Sequence, residues 1–167
     1  MNKKSELKNL NIETRLINDD EFGLANDLVK RSARKAWKNW IPESEILRIS
    51  TITLSPEKLK ERARKGHFYV MLIEGKIVGI GSILPHELFD GDYRIRNVFI
   101  DPLFSGMGLG QKLLNFLERD EFGLAAKRIE VSATLPAIPF YIKSGYVHKD
   151  NKCTFSGVDC ILEKVLK

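Results

Sequence analysis

A chain of 167 residues, 43% hydrophobic and 29% charged, is long enough to bury a core and too apolar to stay disordered. No stretch approaches the roughly 18 consecutive apolar residues that a membrane span requires, so a membrane partner is not expected. The formal charge of +5 attracts acidic partners, but the basic residues spread along helical stretches, notably 30–38 and 58–65; that reads as a solvated face, with no nucleic-acid motif.

The opening MNKKSELKNL has a basic pair without the apolar core of a signal peptide, and it reads as a lead-in. One domain over residues 1–167, working in the cytoplasm, is the expectation. Ile12 to Ile17 alternates as a first strand. Asp19 or Asp20 then caps a helix in which Phe22, Ala25, Val29, Ala33 and Ala36 recur at helical spacing to about Trp37. Trp37 and Trp40 either line an acceptor pocket or cover the core. Ser55-Pro56 opens a further helix, with Ser as N-cap and Pro at the first helical position, that runs to Gly66.

Two apolar runs, His67 to Ile73 and Lys76 to Leu84, are joined by Glu74-Gly75 as a two-residue hairpin turn. Gly79 and Gly81 mark a bulge or close packing in the second run. Asp92 to Ile100 is the next strand. Past the helix that follows it, Gly123 is read as a C-cap and Arg128 to Ala133 as another strand. A short helix spans about Ala137 to Ser144, and a last strand pair turns at Asn151-Lys152 and closes over Cys160 to Leu166. The two cysteines, Cys153 and Cys160, provide neither a disulfide framework nor zinc spacing, so free thiols and no metal site are expected.

The densest chemistry lies between Asn97 and Phe122. A strand (Val98, Phe99, Ile100) meets Asp101-Pro102, then a loop with Gly106, Gly108 and Gly110, then a helix with Leu109, Leu113, Leu114 and Leu117 on one face. Strand, glycine loop and helix N-terminus gather unpaired backbone N–H groups at the positive end of a dipole, a setting for phosphate oxygens. The P-loop is excluded because Gly110 is followed by Gln111-Lys112-Leu113, without the metal-binding hydroxyl. The dinucleotide fingerprint fails too: the spacing is G-x-G-x-G and it begins past mid-chain.

The run Val98-Phe99-Ile100-Asp101-Pro102, followed by Ser105-Gly106-Met107-Gly108-Leu109-Gly110, resembles the central motif of the GNAT superfamily of N-acetyltransferases. Ser105 stands where that family usually carries Arg or Gln. A second match, Thr134 to Tyr146, fits the family's Asn-x-x-Ala-x-x-Phe-Tyr-x-x-x-Gly-Phe/Tyr through Ala137, Phe140, Tyr141, Gly145 and Tyr146, with Thr134 in place of Asn. The resemblance implies an α/β fold with a mixed, mostly antiparallel central sheet of six to seven strands flanked by about four helices. It implies acetyl-CoA as cosubstrate, held by Val98, Phe99, Ile100, Ser105, Gly106, Met107, Gly108, Leu109, Gly110, Gln111, Thr134, Ala137 and Tyr141. Assembly as a homodimer is left open.

The implied chemistry is direct attack of a neutral amine on the thioester within a ternary complex. The N–H of Val98, freed by a strand bulge, would face the developing oxyanion. Phe99 and Ile100 would pair with the pantetheine arm as a strand does. Tyr141 occupies the family's general-acid position, and the alternative is that it only packs or binds the cofactor sulfur. Trp37, Trp40, Arg94 and Arg96 are the expected substrate-binding residues. Either Arg94 or Arg96 could meet a carboxylate on the acceptor, which favours an amino-acid-like substrate. No strand glutamate stands ready as general base, which leaves Asp92, Glu87, His86 and Glu130, acting through water. A different reading, an acyl-CoA-binding regulatory module with weak or no turnover, draws on Ser105, Thr134 and that missing carboxylate.

Overall fold

Seven strands make one sheet in the computed structural model, which describes residues 9–153 and 159–167. Of the lead-in expected at residues 1–10, positions 1–8 lie outside the described residues. The strands are β1 (Ile12–Leu16), β2 (His67–Ile73), β3 (Lys76–Pro85), β4 (Asp92–Ile100), β5 (Arg128–Thr134), β6 (Val147–Cys153) and β7 (Asp159–Val165), in the order β1-β2-β3-β4-β5-β7-β6. Neighbours are antiparallel except β4 and β5. Glu74 and Gly75 have φ of 50° and 77°, the left-handed pair that a two-residue hairpin needs. Parallel β4 and β5 instead require a crossover, and helices α4 (Leu109–Glu118) and α5 (Glu121–Ala125) supply it.

The continuous apolar runs of β2 and β3 follow from burial on both faces. On one face, α1 (Phe22–Trp37) and α3 (Pro56–Ala63) pack Leu28, Val29 and Leu59 against Phe68, Val70 and Ile80. Between them, α2 (Glu43–Arg48) runs into a π-helical turn at Ile49–Thr53, which Asn26 pins by donating to the Ser50 and Leu54 carbonyls, both at 2.8 Å. On the other face, α4 sets Leu109, Leu113, Leu114 and Leu117 against Ile83, Ile95 and Val131. A Cβ at Gly81 would lie 2.8 Å from Leu117 Cδ1, so α4 approaches β3 this closely because that position has no side chain. Among the described residues, no helix is long and apolar enough to cross a membrane.

The expected fold class holds, and with α6 (Ile138–Lys143) the described residues form six α-helices, since the segments around Glu43 and Glu121 make short helices of their own. Several local expectations are corrected. Glu21, not Asp19 or Asp20, precedes α1; its carboxylate is drawn instead to Arg15 at 2.7 Å and to the Asn18 N–H at 2.8 Å. Gly123 is not a C-cap. It lies inside α5, where a Cβ would meet the Glu118 carbonyl oxygen at 2.4 Å, and Asp120 caps that helix by accepting from the Phe122 N–H. Asn151 and Lys152 belong to β6 rather than to a turn. Cys160, expected as a free thiol, is disulfide-bonded, and its Cα stands opposite that of Cys153 in the strand register.

Candidate active site

The site begins with a break in β4. Phe99 pairs with Ile80 and Arg96 with Ser82, so Asn97 and Val98 face Gly81 without partners of their own. Asn97 sits at φ 59°, the left-handed kink that this bulge requires. On its other edge β4 follows β5 only as far as Ile95 opposite Val131, while β5 continues to Thr134 beside β7. The two strands therefore part. Their separation is a cavity of ≈ 260 Å³, with Asn97, Val98, Phe99 and Ile100 on one wall and Ser132, Ala133 and Thr134 on the other. Trp37, Arg62, Arg96, Asp159, Ala137 and Tyr141 are also part of the lining.

Beyond Ile100 the chain turns through Asp101, whose carboxylate accepts from the Leu103 N–H at 2.9 Å and from Arg31 at 2.8 Å. A 3-10 turn (Pro102–Phe104) leads to Ser105, which is exposed. Gly106 and Gly108 then take φ of 78° and 85°, and a Cβ on either would enter open space. Only residues without a side-chain penalty hold that backbone cheaply. Among the described residues, the N–H groups from Gly106 to Gln111 meet no protein acceptor, and α4 has no side-chain cap. The positive end of α4 is thus presented bare, while Leu109 itself points into the core. Gln111 bonds sideways to Asn115 and Ser144, both at 2.8 Å, and Met107 packs on the core.

The second motif docks on the first. A Cβ at Gly110 would be 3.4 Å from the Phe140 ring, so the start of α4 and the body of α6 share this contact. One residue on, Tyr141 is 7% exposed, edge-on to Phe140 at 5.0 Å and to Tyr146 at 5.6 Å. Burial alone raises its pKa above the ordinary phenol value. The hydroxyl therefore stays protonated at neutral pH and is available as a donor.

Not every expected residue comes to the cavity. Trp37 does, buried edge-on to Phe99 at 6.1 Å, whereas Trp40 is 55% exposed and lines no part of it. Arg96 lines the cavity, but Arg94 is turned to Glu130 at 3.2 Å. Glu130 also accepts from Lys149 at 2.8 Å and lies 3.6 Å from the His86 imidazole. Asp92 is 3.5 Å from Arg128. The cavity lining includes none of Asp92, Glu87, His86 and Glu130; its one carboxylate among the described residues is Asp159, which accepts from Ser132 at 2.6 Å. Sequence reasoning passed over Arg62, Asn97, Ser132 and Asp159. Arg62 had left a signal, because it stands three residues after the buried Leu59 and so lies toward the inward face of α3.

Burial disfavours the Glu130 charge, but Lys149 and Arg94 outweigh that effect and hold its carboxyl below the usual range. A carboxyl lowered by folding adds stability above its unfolded pKa and loses it as pH falls through the folded value. Glu130→Gln should therefore cost about 3 kcal/mol of unfolding free energy at neutral pH. Urea melts should show the deficit shrinking as pH drops below about 4.

Residues 42–162 match the family model described as acetyltransferase (GNAT) domain. No curated protein matches the chain significantly. Among solved structures, the chain is similar to the PaiA N-acetyltransferase of Thermoplasma acidophilum in complex with coenzyme A. The TM-score is 0.81 at 17% identity, over 93% of this chain and 99% of that one. It is also similar to a GCN5-related N-acetyltransferase from Rhodopseudomonas palustris (TM-score 0.77, 20% identity, 92% and 95% covered). A GNAT-family acetyltransferase from Staphylococcus aureus Mu50 shares the fold as well (TM-score 0.72, 14% identity, 94% and 100% covered).

Proposed function

We propose, from the premise that this chain belongs to the acetyltransferase (GNAT) domain family, that it moves an acetyl group from acetyl-CoA to a primary amine by direct attack in a ternary complex. The observation that carries the reading is the continuity of three features. A bare turn of N–H groups from Gly106 to Gln111 adjoins a parted strand pair, and that parting reaches both the unpartnered Val98 and the protonated Tyr141.

Each part has a task. The Gly106–Gln111 amides hold the diphosphate, and the free β4 edge at Phe99 and Ile100 offers ladder groups to the pantetheine arm. The Val98 N–H donates to the thioester oxygen as negative charge gathers there. The lone pair of the neutral amine bonds to the acyl carbon, and the carbon–sulfur bond breaks. Tyr141 hands its hydroxyl proton to the departing sulfur and is reprotonated from solvent. The acceptor ammonium gives one proton to water before attack, and the nitrogen gives a second to water as the tetrahedral intermediate becomes the amide. Burial raises the Tyr141 pKa, but the same dry surroundings disfavour a bare thiolate, so the transfer remains accessible. We place this work in one domain in the cytoplasm.

Calorimetry with CoA, followed by thiol release from acetyl-CoA over a panel of amines, tests the reading. Saturable binding with turnover on at least one amine is the expected result, and no CoA binding at all would overturn it. The alternative, a CoA-binding regulatory module, draws on the exposed Ser105 and on the engagement of Glu130 and Asp92 by cations. Tight CoA binding without thiol release on any amine would select that alternative.

A further inference from the structure

Arginine cannot shed its charge when buried, so a half-buried guanidinium without a carboxylate is costly and calls for an anion. Six arginines of this chain have that partner within about 3.2 Å: Arg15, Arg31, Arg34, Arg48, Arg94 and Arg128. Arg64 and Arg119 stand exposed in solvent. Arg62 and Arg96 are different. Both are half-buried, neither guanidinium forms a hydrogen bond or ion pair among the described residues, and both line the cavity between β4 and β5.

Their surroundings are electrostatically adverse. Burial and then the nearby Arg94 charge lower the Arg96 pKa, with Glu87, Glu130 and Asp159 opposing from a distance. Burial and then the Arg96 charge lower that of Arg62, with Glu61 opposing. Arg96 alternates with Ile95, which is buried under α4, so the two side chains leave β4 on opposite faces. Arg96 also precedes the Val98 bulge, whereas the phosphate turn follows Ile100. Along β4 it therefore lies on the far side of the reacting position from the cofactor phosphates.

We propose that Arg62 and Arg96 together hold a carboxylate of the acceptor, so that the amine this enzyme acetylates belongs to the amino-acid class. This inference rests on the acetyltransferase reading above. Arg96 and Val98 are two residues apart across the Asn97 kink, so they are separated by no more than the roughly 6–7 Å of an extended strand, which suits an amine and a carboxylate joined by a short carbon chain. Asp159 on the β5–β7 side supplies the opposite charge for an ammonium group on arrival. A long polycation would place positive charge against both guanidinium groups.

The test compares each of the common L-amino acids and β-alanine with its own carboxamide, and with spermidine. Binding is measured by calorimetry on protein saturated with CoA, and turnover by thiol release. The acids should outperform their amides by about 10- to 100-fold in kcat/KM. Arg62→Gln and Arg96→Gln should raise KM for the preferred acid by a similar factor while the Kd for CoA stays as in the wild type. Equal use of acid and amide, or preference for spermidine, by a protein that binds CoA and turns over would overturn the carboxylate site and leave the transferase standing. Failure to bind CoA would remove the transferase and this inference together. Because the acid-against-amide comparison uses the unmodified chain, it decides the matter even if a variant fails to fold.

Discussion

Tyr141→Phe should lower kcat by about 10²-fold or more, with little change in the KM for acetyl-CoA and no loss of thermal stability. The ring lies between Phe140 and Tyr146, and phenylalanine keeps both edge-on contacts. The hydroxyl makes no hydrogen bond within the protein among the described residues, so deleting it orphans no partner. A loss confined to kcat is what proton transfer to the leaving sulfur predicts, because that interaction is made only as the carbon–sulfur bond breaks. Since burial moves this phenol above its ordinary value, its deprotonation should produce no falling limb in the rate below about pH 10. Full kcat in the variant would show that Tyr141 only packs, and would remove it from the chemistry.

Gly108→Val should weaken CoA binding by at least about tenfold, with two independent causes. A side chain at φ 85° costs about 1–2 kcal/mol or more of backbone strain, and branching at Cβ worsens it. The strain tilts the start of α4 away from the geometry that bares its N–H groups. The new methyl groups would also enter the open space over the turn, which is where the diphosphate must approach. Titration calorimetry reads the first consequence, and circular dichroism verifies that α4 is still folded. An unchanged Kd in a folded variant would mean that the phosphates are held elsewhere, and the placement of the cofactor would have to be abandoned.

Much of the sheet was legible because its signals are local. Glu74-Gly75 between two apolar runs dictates a hairpin, and the Ser55-Pro56 start dictates α3, whose N-cap oxygen accepts from the Lys58 N–H at 3.3 Å. The glycine loop was legible for the same reason, since its backbone angles exclude most side chains. Boundaries were read less well. Glu21 was drawn away by Arg15, and Gly123 turned out to serve a close backbone approach; both depend on residues that no local rule connects.

The acceptor side shows where local reading stops. Trp37 and Trp40 are equivalent in composition and three residues apart, yet one is buried against Phe99 and the other faces solvent. Arg94 and Arg96 share a face of β4, yet Glu130, 36 residues further on, neutralises only the first. Arg62 reaches the cavity from another helix altogether.

By itself the chain's order of residues determined the Glu74-Gly75 hairpin, the Ser55-Pro56 helix start and the bare amide turn, because each depends on φ, ψ and hydrogen bonds spanning only a few positions. Which charges are cancelled, and which remain to meet a ligand, was decided only when β4 parted from β5 and α3 brought Arg62 to the gap. Coulomb energy and desolvation depend on distance through space and on what excludes water, and the linear order of residues carries neither.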